Sequence, residues 1–342
     1  MGKLVLPLTG SPQNHEYHLC DNPEEAVWRE LLIFAEPFVL KKYWNGSKNE
    51  ELITFVCTSI RQAYEYYRAS KQLGENTAPL FLYYSCHNLT KAVLTVKNDS
   101  MEDLNHHGLT TTDRAADLFK YRVKQCAQGV FGKLTQAFGM TWALDDNQEF
   151  LFSDFIKNTI EFVDPIGNIF EQEPTIIPIG ITRNTEGLVT LSISIVDSQK
   201  RQQIRRLVNE KTDLKNHFDE NSGSDESYDY FKQYADKATL QKDGCETVRK
   251  MFSFSYLPCN EKIIYLDVSE RRLPQACCYY GMVYILGMIV RYSPQIIGGI
   301  LTNPNSEYRW LIEQVCLNTR RLYPNYMLNL MTGKSYKFVT SV

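Results

Sequence analysis

Residues 79–96 read PLFLYYSCHNLTKAVLTV and decide the fold. A Gly74-Glu75-Asn76 break leads into this segment. As a helix it is apolar nearly all the way round, which places it at the centre of a bundle. Its polar pair, His87 and Asn88, must then be hydrogen-bonded or cost a few kcal/mol. Upstream, residues 22–98 read as helices throughout. Asn22-Pro23-Glu24-Glu25 combines a capping Asn, a Pro at the first position and acids in the first turn. Pro37 should bend or end that helix, and Asn45-Gly46 should stop it. Over residues 50–72, Leu52, Phe55, Val56, Ile60, Ala63, Tyr64 and Tyr67 recur every three or four positions, so one face is buried.

Downstream, residues 99–112 are polar and read as a loop. Thr110 and Asp113 have the spacing of a capping box before another helical stretch. Tyr121, Val123 and Gln125 alternate, so part of 118–127 could be extended instead, and Gly129–Phe138 reads as a helix. The middle changes period. PTIIPIGITRNTEGLVTLSISIV is rich in Ile, Val and Thr, and its Asn184-Thr185-Glu186-Gly187 cluster divides it into a hairpin. A charged helix over 198–216, a solvated mobile loop over 219–230 and strands at 252–257 and 262–268 follow. The chain returns to helices at 274–292, stopped by Pro294, then at 305–321, then in a short piece after Pro324. The expected class is α+β, mainly α. A helical bundle occupies 1–140, an α+β insertion 141–270 and C-terminal helices 271–342, the last packing back on the first.

The net charge of −3 rules out a uniformly basic nucleic-acid coat. It conceals a net −9 over residues 141–230 and a net +6 over 271–342. Such asymmetry marks a partner surface, or two segments that face each other within one fold. Nine cysteines without C-x-x-C spacing read as buried thiols in a reducing cytoplasm. The N-terminus lacks the apolar core of a signal peptide, and the apolar run 274–290 is a turn short of a membrane span. No membrane, metal or cofactor is expected. The signatures of a P-loop ATPase, a dinucleotide oxidoreductase, a serine hydrolase and a zinc protease are all missing, and Gly298-Gly299 reads as a loop rather than a phosphate cradle.

With His107-Gly108-Leu109, Gly129-Val130-Phe131 with Leu134, Leu286–Pro294 with Arg291-Tyr292, and Tyr323-Pro324-Asn325, the segment 79–94 resembles the YaaC-like proteins of bacteria over roughly residues 50–330. Cys86-His87 departs from that family's pattern, which has apolar residues there. The resemblance brings no settled activity with it. The N-terminal bundle is also remotely similar to HEPN-type helical bundles, whose nucleases carry an R-x(4–6)-H motif. That motif is missing here, so the HEPN similarity implies a non-catalytic binder, in a stress or phage-defence setting, unless the active group is assembled from separate helices.

His87 is a general acid/base, or a core histidine bonded to a tyrosine or the backbone. His107, in a loop beside Asp113 and Arg114, could handle a phosphodiester with Arg114 forking onto its oxygens, or could simply anchor the loop. His87, His107 and Arg114 are thus the candidate catalytic residues. Arg291 complements a helix C-terminus or reaches inward to a carboxylate or phosphate. Arg271-Arg272 and Arg320-Arg321, with nearby tyrosines, suit single-stranded nucleic acid, a protein interface or a plain solvated face. The candidate binding residues are these four arginines with Asn88, Arg291 and Tyr292. Three readings follow: a binding protein whose partner is RNA, DNA or another protein; a metal-independent ribonuclease; and a scaffold subunit or homo-oligomer that uses its tyrosine-rich helices.

Overall fold

The structure is a computed structural model of the 342-residue chain. It describes residues 15–44, 49–115, 117–126, 128–140, 148–184, 189–197, 200–212, 214–221, 228–235, 239, 252–253, 263–269 and 273–340.

Strand β1 (His15–Leu19) opens the described chain and pairs in parallel with the last strand, β11 (Ser335–Val339). Helix α1 (Pro23–Ile33) starts as its sequence dictates, with the Asn22 side chain accepting from the backbone N–H groups of Glu24 and Glu25 at 3.1 and 3.2 Å. Pro37 does break this helix, and it also opens the next one, α2 (Pro37–Tyr43), where its missing N–H costs nothing. The stop at Asn45-Gly46 lies outside the described residues. Helices α3 (Glu50–Gln72) and α4 (Ala78–Asn98) form an antiparallel pair, and α4 ends on Asp99 in the left-handed conformation at φ 53°.

The capping-box reading at Thr110 is corrected. Leu109–Asp113 is a strand, β2, paired antiparallel with β3 (Arg122–Gln125), the segment whose alternation allowed an extended form. Three polar β-branched residues, Thr110 to Thr112, favour the extended backbone over a helix start. Helix α5 (Val130–Ala137) follows, and β4 (Glu149–Leu151) pairs antiparallel with β3. Two short helices, α6 (Phe152–Lys157) and α7 (Val163–Phe170), lead into the insertion.

The insertion is an antiparallel sheet. The hairpin β5 (Ile176–Asn184) and β6 (Val189–Ile195) sits at its centre, joined by β7 (Asp219–Glu220), β8 (Tyr230–Tyr234), β9 (Phe252–Ser253) and β10 (Ile263–Asp267) in the order β7-β8-β6-β5-β10-β9. The stretch read as a loop over 219–230 has strands at both ends, while 222–227 lies outside the described residues. The expected helix over 198–216 splits into α8 (Arg201–Lys211) and α9 (Leu214–His217). Ion pairs of the acidic middle form within it, Arg201 with Asp229 and Arg205 with Glu220, both at 2.8 Å.

Helix α10 (Gln275–Tyr292) is buried along nearly its whole length. Pro294 ends it and begins α11 (Pro294–Thr302), so Gly298-Gly299 is helical rather than a loop. Helix α12 (Glu307–Thr332) runs straight through Pro324 instead of dividing there. Both long C-terminal helices pack on α4. Tyr280 of α10 meets His87 at 2.8 Å, and Tyr323 of α12 hydrogen-bonds Thr90. The chain is therefore mainly helical with small antiparallel sheets, and the apolar helix read at 79–96 is the centre of its core.

Candidate functional site

Most side chains of α4 are buried against α3, α10 and α12. Beyond its first turn, Phe81, Tyr84, Asn88 and Lys91 are half-buried, at spacings of three and four that align them on one outward line. The other side of the same turns carries Tyr83 and His87, which face inward toward the loop of His107.

That loop is held by backbone geometry. Gly108 has φ +77° and Gly129 φ +125°, a region that L side chains avoid. The two glycines touch, and a Cβ on Gly129 would stand 2.5 Å from the Gly108 nitrogen. This approach lets the start of α5 bind the loop, with Val130 N–H donating to the His106 carbonyl at 3.0 Å and Phe131 N–H to that of His107 at 3.1 Å. Two tyrosines of α10 complete the clamp, Tyr280 donating to the His107 carbonyl at 3.3 Å and Tyr284 to that of Leu109 at 2.8 Å.

The result brings two histidines together. The Tyr280 hydroxyl shares a 2.8 Å hydrogen bond with His87 Nδ1, and the Tyr83 hydroxyl bonds His107 Nδ1. The imidazole centroids lie 5.0 Å apart. Burial, then His107, then Lys91 push the His87 pKa down to about 3. Burial, Arg291, His106 and Lys91 lower that of His107. Both rings are therefore neutral at neutral pH. Lys91, lowered by burial alone, stands over the Phe55 ring at 5.2 Å and has no ion pair among the described residues.

Outside this pair, Arg291 donates to the Tyr84 hydroxyl at 3.1 Å and reaches no carboxylate among the described residues. Its guanidinium also lies 5.0 Å from the centroid of the Tyr292 ring, and Arg114 lies 5.7 Å from the same ring. Tyr292 is 51% exposed, and neither arginine has a carboxylate partner among the described residues. Cation and aromatic thus alternate from Arg114 through Tyr292, Arg291 and Tyr84, and His107 feels the positive charge of both Arg291 and Lys91.

Of the residues singled out from sequence, His87, Asn88, His107, Arg114, Arg291 and Tyr292 lie in this one region. Arg320 lies elsewhere, donating to the carbonyl of Ser70 at 2.6 Å and tying α12 to α3. Arg321 is partly buried beside Glu24, and burial lowers its pKa. Arg271 and Arg272 lie outside the described residues. Sequence reasoning missed Lys91, Tyr84 and Phe55. Positions 84 and 91 share a helical line with 81 and 88, but what that line faces depends on α3 and α10.

Among the described residues no single helix is long and apolar enough to cross a membrane; α10 and α11 reach that length only as a pair bent by 103°. Cys20, Cys57, Cys86, Cys126, Cys277, Cys278 and Cys316 are free thiols. No curated protein and no solved structure matches the chain, and the HEPN similarity gains no support from these comparisons. The family described as YaaC-like Protein matches residues 34–331, which takes in the α4 line, both histidines, the glycine contact and the Arg291-Tyr292 end of α10. The chain belongs to the YaaC-like family.

Proposed function

We propose that the protein is a cytoplasmic binding protein whose partner is a nucleic acid, held on the surface formed by Arg114, Tyr292, Arg291, Tyr84 and Lys91. The observation that carries this reading is the bracketing of an exposed tyrosine by two arginines without carboxylate partners. Such arginines are available to phosphate oxygens, and arginine interleaved with tyrosine suits a single strand. The overall charge of −3 does not oppose this, because the local field is positive where the ligand would lie. The test is binding of short, internally labelled RNA and DNA strands to the full chain. Affinity should fall steeply between roughly 50 and 200 mM salt as counterions are released on binding. No binding to either strand at low salt would overturn the reading.

The proximity of His87 and His107 favours a second reading, a metal-independent ribonuclease with Arg114 on the phosphate. A histidine pair cleaves RNA with one ring as base and the other as acid. Burial pushes both rings below the usual imidazole range, away from the pKa that proton transfer near neutral pH needs, which ranks binding above cleavage. RNA cleavage in the presence of chelator, abolished by both His87→Ala and His107→Ala, would reverse that ranking.

A further inference from the structure

Next to the histidine pair, α3 and α4 flank an open groove of about 600 Å³. Their antiparallel packing fixes the order of residues along it. Tyr66 faces Tyr84 with centroids 5.5 Å apart, Gln62 and Asn88 line the next level, and Lys91 stands over Phe55. One turn further on, Glu51 and Glu50 close the groove. Charge changes sign along this line. Arg114 and Arg291 mark one end, Lys91 follows, and beyond it stand Glu51 and the Lys41–Glu50 ion pair. Glu50 is held by Lys41 at 2.6 Å, while Glu51 has no ion pair among the described residues.

Three polar side chains of the groove are unspent. Among the described residues, the side chains of Gln62, Asn88 and Lys91 make no hydrogen bond to the protein, although Asn88 and Lys91 are half-buried. A half-buried ammonium over a ring, with no carboxylate to neutralise it, attracts an anion more strongly than a fully solvated one does. The two amides present both donors and acceptors, the pattern that reads the edge of a base, and Phe55 with Met101 supplies an apolar wall.

We propose that this groove holds the terminal nucleotide of a strand laid along the Arg114–Lys91 surface, so that the protein binds nucleic-acid ends. The inference rests on the nucleic-acid reading above. A strand passing straight through would have to carry its next phosphates past Glu51, against like charge, with Lys41 already held by Glu50. A strand that stops at Lys91 places its last phosphate on that ammonium and its last base between the amides and Phe55. Single-stranded ends fit this description, because a paired terminal base has its edge already occupied.

The experiment compares a linear single strand with a covalently closed circle of the same sequence, both internally labelled, on the full-length protein at low salt. The linear strand should bind at least tenfold more tightly, and Lys91→Gln, which keeps the stem over Phe55, should remove most of that advantage. Equal affinity for line and circle would overturn end binding while leaving the nucleic-acid reading standing. Binding to neither form would overturn both. An advantage undiminished in Lys91→Gln would remove the groove from the account, and a poorly folded variant would leave the wild-type comparison to decide.

Discussion

His87 and His107, twenty residues apart in sequence, stand with their ring centroids 5.0 Å apart and are joined through Tyr280, which bonds the ring of the first and the carbonyl of the second. Their depressed pKa values are a statement about stability. The unfolded chain takes up protons on these rings below about pH 6.5, while folded His87 resists until about pH 3. In that window the unfolded state binds more protons, so stability is full above about pH 6.5 and falls as pH drops. The slope approaches about 1.4 kcal/mol per pH unit for each fully resisting group. Denaturant unfolding from pH 7.5 down to 4.5 measures it. His87→Phe should give a shallower acid loss than the wild type, with parallel curves above pH 7. Parallel curves throughout would show that His87 protonates freely in the folded protein.

Gly129 and Gly139 both have positive φ, at +125° and +81°, but only Gly129 abuts another backbone. Alanine at Gly139 should cost about 1 kcal/mol, the ordinary penalty of that conformation. Alanine at Gly129 should cost clearly more, about 2–4 kcal/mol, because the Gly108 contact adds to the backbone strain. Equal melting temperatures for the two variants would mean that the loop moves aside without loss.

Gly281 in α10 marks a second close approach. A Cβ there would lie 2.4 Å from Cε1 of Phe155, and both residues are buried. Gly281→Ala should cost about 1–3 kcal/mol by overpacking. Adding Phe155→Leu should recover part of that loss, so that the pair is less damaging than the sum of the two single variants. Strict additivity in a double-mutant cycle would contradict the contact.

The elements that were legible from sequence carry their own signals. The line of Leu52, Val56, Ile60, Ala63 and Tyr67 places α3 within its observed bounds, and the Asn22 cap places the start of α1. The elements that were missed depend on partners remote in sequence. β1 and β11 pair from opposite ends of the chain, and nothing local in His15–Leu19 announces it. Pro324 reads as a break because it removes a helical hydrogen bond, yet α12 continues through it. Tyr323, Pro324 and Asn325 are all buried there, and Asn325 donates to the Tyr336 carbonyl at 3.2 Å, so tertiary packing outweighs the local penalty. The site was half legible for the same reason. His87 and His107 stood out as polar residues in conspicuous places, whereas Lys91 and Tyr84 gain their meaning only once α3 and α10 lie beside them.

On the proposed function, the surface around Tyr292 holds phosphates through Arg114 and Arg291. The most direct measurement is the salt dependence of single-strand binding in wild type and in the double variant Arg114→Ala/Arg291→Ala. Each phosphate contact on a single strand contributes about 0.7 to the slope of log K against log salt. Phosphate contacts by both arginines mean weaker binding in the double variant and a slope shallower by about 1.4. Wild-type affinity with an unchanged slope would contradict those contacts.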